Sequence, residues 1–168
     1  VSGGPVGQLH ANDDGKNLIL LLQDFRLAIA NLVNSGEWHG MSRPGLSLAM
    51  PCGHFLGRYD YLQELGQLIN YANLMCYDFV GPWSLLADHH SNLLSRHRGN
   101  SSADAGIKEL LAAGFPAQKI VLGAPIYGRA FSDVSALQQP FNGVPVGTWN
   151  DPGVLDYKAF SQQNTSIE

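Results

Sequence analysis

Asn73-Leu74-Met75-Cys76-Tyr77-Asp78-Phe79-Val80-Gly81-Pro82-Trp83 opens as an apolar run and closes on a turn. Ala72–Phe79 has the length and apolar content of a buried strand, and Gly81-Pro82 ends it. Side chains alternate faces along a strand, so Met75 and Tyr77 share one face, Cys76 takes the other, and Asp78 falls at the C-terminal end. Trp83 stands in the loop just beyond. A hydroxyl, a carboxylate and an indole gathered at one strand end suit a sugar, with two polar anchors and one stacking surface. The same residues also read as ordinary structure: Met75 and Tyr77 as core, Asp78 as a turn cap, Trp83 as a loop anchor. The residues alone leave both readings open.

Working outward, Tyr59–Tyr71 reads as a helix with Leu62, Leu65, Leu68 and Ile69 on one side, running straight into that strand. Leu46–Met50, between Gly45 and Pro51, is a second buried strand. Lys16–Val33 carries Leu18, Leu21, Leu22, Phe25, Ile29 and Leu32 at helical spacing, with Asp13 and Asp14 offering an N-cap. Downstream, Gly81–Asn100 is polar and irregular, a long loop. Ala103–Ala113 is a helix stopped by Gly114 and Pro116. Lys119–Tyr127, rich in Ile, Val and Leu, is a further strand. Beyond Phe131, Gly, Pro, Gln and Asn dominate and short strand-like pieces replace helices, which puts a domain boundary near Arg129–Ser132. Helix and strand thus alternate, which implies a parallel sheet with helical crossovers. An open doubly wound sheet and a closed eight-stranded barrel both satisfy that order. A barrel takes roughly 250 residues, so length by itself favours the open sheet.

The 168 residues are 45% apolar and only 14% charged, which argues for a packed core. The net charge is -4 with Lys and Arg scattered. No basic stripe exists, so neither nucleic acid nor an anionic membrane is expected as a partner. The longest apolar run, Leu18–Leu22, is far too short to span a bilayer. Val1–Leu9 is Gly-rich and lacks the apolar core of a signal peptide. Cys52 and Cys76 are the only cysteines and read as two small buried hydrophobes, not as a disulfide framework. Cys76 has no paired base that would make it a nucleophile. His89, His90 and His97 fit no metal-ligand spacing and read as solvated loop histidines. No phosphate-binding glycine loop occurs, so no nucleotide cofactor is expected. Lys16 and Lys108 read as solvated helix faces.

Asn73–Trp83 resembles the sixth barrel strand of glycoside hydrolase family 18 chitinases, with its Met-x-Tyr-Asp-Phe-x-Gly-x-Trp pattern. Lys119–Phe131 is similar to that family's seventh strand. Phe141-Asn142-Gly143, Trp149 and Leu155-Asp156-Tyr157-Lys158 resemble the start of the small α+β domain inserted after it. Leu46–Pro51 fits the fifth strand, and Val1-Ser2-Gly3-Gly4 resembles the residues that follow the fourth in fungal-type members. The resemblance tips the architecture to a partial (β/α)8 TIM barrel, strands five to seven, over residues 1–131, with 132–168 as the start of the α+β insertion domain. It implies an extracellular enzyme that cleaves β-1,4-linked N-acetylglucosamine in chitin with retention, the substrate's acetamido oxygen acting as nucleophile. No cofactor or metal is implied. Tyr77 would hold the acetamido group, Asp78 would contact the sugars flanking the scissile bond, and Met75 would line the central subsite. Trp83 would stack a sugar on the leaving-group side, and Tyr127 and Arg129 would hydrogen-bond sugars or Asp78.

The departures from the family pattern are as informative. The acid in such enzymes is a Glu that ends an Asp-x-x-Asp-x-Asp-x-Glu motif on the fourth strand. Glu37, Glu64, Glu109 and Glu168 are the only glutamates, and none ends such a motif. The expectation is that the sequence begins just after it, and that strands one to four and strand eight lie outside. A non-catalytic chitin-binding relative or a decayed gene product is the alternative to a hydrolase at this point.

Overall fold

The structure, a computed structural model, describes residues 13–52, 61–95 and 101–160. In chain order its main elements are α1 (Asp14–Asn34), β1 (Ser47–Pro51), α2 (Leu62–Leu68), β2 (Tyr71–Met75), α3 (Ala103–Ala112), β3 (Ile120–Leu122), β4 (Tyr127–Arg129), β5 (Val154–Asp156) and α4 (Tyr157–Phe160). β1, β2 and β3 form one parallel sheet in that order, with β2 in the middle. Each parallel step is bridged by a helix, as parallel pairing requires.

The core lies on one face of this sheet. Along β2, Ala72 and Leu74 are buried while Tyr71, Asn73 and Met75 point the other way. Met50 and Cys52 continue the buried face from β1, and Ile19, Leu22, Leu62, Leu65 and Leu110 close it from α1, α2 and α3. The opposite face carries exposed Met75 and Val121. The α1 stripe is buried only in part. Ile19 and Leu22 enter the core, whereas Leu21 and Phe25 stay about half exposed because α1 packs chiefly along α2.

Three boundaries differ from the sequence reading. The second helix stops at Leu68, before Tyr71; its expected start at Tyr59 lies outside the described residues. The stop is built by side chains. Lys119 Nζ donates to the carbonyls of Gly66 and Ile69, both at 2.7 Å, and Arg26 Nε donates to that of Leu68. Cations at the carbonyl end of a helix are favourable and satisfy groups that have no helical donor. Asn70 Oδ1 then accepts from Leu46 N–H at 2.8 Å, fixing the start of β1 to the start of β2.

The central strand ends at Met75 rather than Phe79, because Asp78 has φ +58°, outside the extended region. Lys119–Tyr127 is not one strand. β3 ends at Leu122, Gly123 N–H adds one more bond to Leu74 O at 2.8 Å, and Pro125 has no donor to continue the ladder. Tyr127 belongs to β4, which pairs antiparallel with β5: Tyr127 faces Asp156 and Arg129 faces Val154.

The two cysteines are not free. Cys52 and Cys76 form a disulfide, with Cα atoms 4.8 Å apart. The reason is register. Pro51 sits opposite Met75 across the β1–β2 ladder, so the next residue of each strand faces the other. A separation of 24 residues in sequence becomes adjacency in the sheet. The residues of the expected loop that are described, 81–95, form neither helix nor named strand. They fold back on the strand end, with Phe79 N–H donating to His90 O at 3.0 Å. Among the described residues no helix is long and apolar enough to cross a membrane.

Candidate functional site

Asp78 lies where β2 has just ended, and its side chain gathers the neighbours. Arg129, from β4, donates to its Oδ1 from Nε at 2.9 Å and from Nη2 at 2.8 Å. Tyr127, two residues earlier on the same strand, hydrogen-bonds the Asp78 side chain. Residues two apart on a strand share a face, which is why Tyr127 and Arg129 arrive together. Burial, and then the hydrogen bond to the Asp78 carboxylate, hold the Tyr127 phenol well above its usual range. Its hydroxyl is therefore a donor at any ordinary pH.

Aromatic rings frame this cluster. The Tyr77 ring meets Tyr127 edge-on, with centroids 6.2 Å apart. The Arg129 guanidinium lies 5.0 Å from the Trp83 ring centroid and 5.8 Å from that of Tyr127, within cation–π range. Two glycines make room. A Cβ on Gly81 would sit 2.5 Å from the Trp83 ring, and one on Gly123 would sit 2.6 Å from Leu74 O and 3.1 Å from the Tyr77 ring. Trp83 itself is 63% exposed. Met75 stays on the open face of the sheet, beside this strand end.

The structure thus brings Tyr77, Asp78, Trp83, Tyr127 and Arg129 together from two separate stretches of sequence. It also adds a residue that the sequence reading set aside. His90 is not a solvated loop histidine. Its side chain is only 12% exposed; Nδ1 lies 3.4 Å from the Asp78 backbone nitrogen and Nε2 lies 3.2 Å from Tyr127 O. Burial lowers its pKa, with Asp78 acting in the opposite direction. The backbone loop closure between Phe79 and His90 carries it there, and no motif spacing announces that. His89 is exposed, and His97 lies outside the described residues. Among the described residues no group of three His, Cys, Asp or Glu side chains could hold a metal ion.

A parallel sheet with helical crossovers and a polar cluster at the C-terminal strand ends is the arrangement of an α/β enzyme fold, barrel or open sheet. Glycosyl hydrolases family 18 matches residues 4–167, and the chain belongs to that family. It is 38% identical over 157 residues to Endochitinase 1 of Metarhizium robertsii, covering 90% of this chain and 36% of that protein. It is 33% identical over 159 residues to Chitinase 1 of Aphanocladium album, covering 91% of this chain and 36% of that protein. The class V chitinase of Nicotiana tobaccum, solved also in complex with NAG4, superposes with a TM-score of 0.78 at 30% identity, covering 93% of this chain and 46% of that one. The chain spans about a third of the length of the curated relatives it matches.

Proposed function

We propose that this chain is the fifth-to-seventh-strand portion of a (β/α)8 chitinase, with the stretch from residue 132 onward beginning an inserted α+β domain. The observation that carries the reading is Asp78. It sits just past the C-terminal end of the central strand with a left-handed backbone, bonded to Arg129 and Tyr127 and flanked by Tyr77 and the exposed Trp83. A polar constellation beside an exposed indole is what a chito-oligosaccharide requires: hydrogen bonds for hydroxyls and acetamides, and a flat apolar surface for a sugar face.

In the reaction, Tyr77 donates to the substrate's acetamido group and Asp78 orients it, so that the acetamido oxygen attacks the anomeric carbon. A Glu supplied by another part of the barrel protonates the leaving oxygen. Met75 lines the floor of the central subsite, Trp83 stacks a sugar beyond the bond, and Tyr127 and Arg129 contact the sugars before it and hold Asp78. The NAG4 complex of the tobacco relative supports a chito-oligosaccharide as ligand. The Cys52–Cys76 disulfide supports a secreted protein, since such bonds persist in oxidising compartments. The test is proton NMR of chitotetraose incubated with the full-length protein. The reading expects cleavage with the β anomer appearing first. No cleavage, or the α anomer first, overturns it.

A further inference from the structure

One side chain reaches the site from the loop after Trp83. His90 Nδ1 is placed to accept the Asp78 backbone N–H at 3.4 Å, while Nε2 lies 3.2 Å from the carbonyl of Tyr127, which can only accept. These two partners assign the neutral tautomer that carries its proton on Nε2. The ring also packs against the Tyr127 ring, with centroids 5.2 Å apart. The His90 main chain is pinned as well, its carbonyl accepting from Phe79 N–H at 3.0 Å. The residue on which these contacts converge is strained. A non-glycine residue at φ +58° costs about 1–3 kcal/mol and persists only where its surroundings over-determine it.

We propose that His90 is the positioning residue of this site, its imidazole locking the left-handed backbone of Asp78 on one side and the backbone of Tyr127 on the other. The proposal rests on the assignment of Asp78 to the site made above. Held in this way, the Asp78 carboxylate meets Arg129 and Tyr127 and has no freedom to turn aside. The titratable and charged groups facing His90 are Asp78, Arg129, Tyr127 and His89. Burial favours the neutral ring, with Arg129 and His89 acting in the same direction, and Asp78 and the Tyr127 carbonyl oppose it. Protonation would set a hydrogen on Nδ1 against the Asp78 N–H. It would also draw the ring toward Asp78 Oδ1, 3.7 Å away, where Arg129 already sits. The lock therefore opens as pH falls.

The test uses the full-length protein that carries this segment, with kcat and KM for chitotetraose expressed per folded molecule. His90→Leu keeps the volume and removes both hydrogen bonds. His90→Gln keeps an acceptor and a donor on one end group but does not titrate. His90→Leu is expected to lower kcat by about tenfold or more with KM within about threefold. His90→Gln is expected to keep kcat within about threefold and to lose the part of the acid-side fall in kcat that belongs to His90. The proposal is overturned if His90→Leu keeps kcat within about threefold of the parent, if His90→Gln is as impaired as His90→Leu, or if the acid side is unchanged in His90→Gln. Asp78→Asn is run beside them. If it is impaired while His90→Leu is not, the positioning role alone fails; if Asp78→Asn is also unimpaired, the site assignment fails and takes this role with it.

Discussion

Both Arg129 nitrogens that reach Asp78 converge on one oxygen, Oδ1, rather than dividing between the two. The guanidinium keeps that convergence while its Cζ lies 5.0 Å from the Trp83 ring centroid. A lysine offers a single point charge and can do only one of these things. Arg129→Lys is therefore not conservative here. Because Asp78 is about a third exposed, solvent screening limits the loss to about 1 kcal/mol of stability, with about 2 kcal/mol for Arg129→Ala. Urea unfolding of the three proteins checks this, and identical midpoints for Arg and Lys would show that the convergence contributes nothing.

Stability should fall on the acid side of neutrality. The pKa of His90 is lowered in the folded state, chiefly by burial, while the unfolded chain keeps the ordinary histidine value of about 6.5. Its contribution is complete above that unfolded value and is lost as pH falls from there through the lowered folded value, because the unfolded state takes up the proton first. Urea midpoints measured from about pH 7 down to about pH 5 should decline for the parent and stay nearly flat for His90→Gln. Parallel declines in the two proteins would assign the effect to other groups.

The disulfide joins the ends of β1 and β2 one residue before Tyr77, so it braces the strand end that carries the site. Closing a loop of 24 residues corresponds to about 3 kcal/mol in the chain-entropy picture. The double variant Cys52→Ala/Cys76→Ala is expected to lose stability on that scale. A loss below about 1 kcal/mol would show that the bridge does little to hold the strands.

This chain by itself is expected to be inactive on chitin oligomers. None of Glu37, Glu64, Glu109 and Glu168 ends the acidic motif of the family, and general acid catalysis is worth about 10²–10⁴-fold. Hydrolysis of chitotetraose by the purified 168-residue chain, above a heat-treated control, would contradict this.

The legible part of this molecule was what depends on short-range pattern. The short apolar run from Ala72, closed by Gly81-Pro82, located the central strand, and Gly114 with Pro116 located the end of α3. What escaped depends on contacts distant in sequence. The end of α2 is made by Lys119 and Arg26, about fifty and forty residues away in either direction. The pairing of Cys52 with Cys76 follows from strand register, which the cysteine count does not contain. His90 is drawn in by a loop whose polar composition suggested only solvent. Met75 to Trp83 could be read as a site because the motif is contiguous, whereas the partners of Asp78 come from another strand.

Tyr77 and Asp78 should matter to turnover in a way that Trp83 does not. On the proposed assignment the first two would act beside the reacting sugar in the full-length protein, where interactions strengthen as charge develops, so losing them should lower the chemical rate. Trp83 is 63% exposed, and on the same assignment it would stack a sugar beyond the bond. Its loss weakens binding by about 1–2 kcal/mol, on the scale of aromatic contacts, and appears mainly in KM. If these side chains only hold the fold, all three changes lower the melting temperature and leave activity per folded molecule alone. Tyr77→Phe, Asp78→Asn and Trp83→Ala, each measured for melting temperature, kcat and KM, separate the two accounts. Tyr77→Phe is the most discriminating, because it removes one hydroxyl and leaves the edge-on packing against Tyr127 in place. Should Tyr77→Phe and Asp78→Asn both keep kcat within about threefold, or roughly 0.7 kcal/mol, the catalytic assignment is wrong.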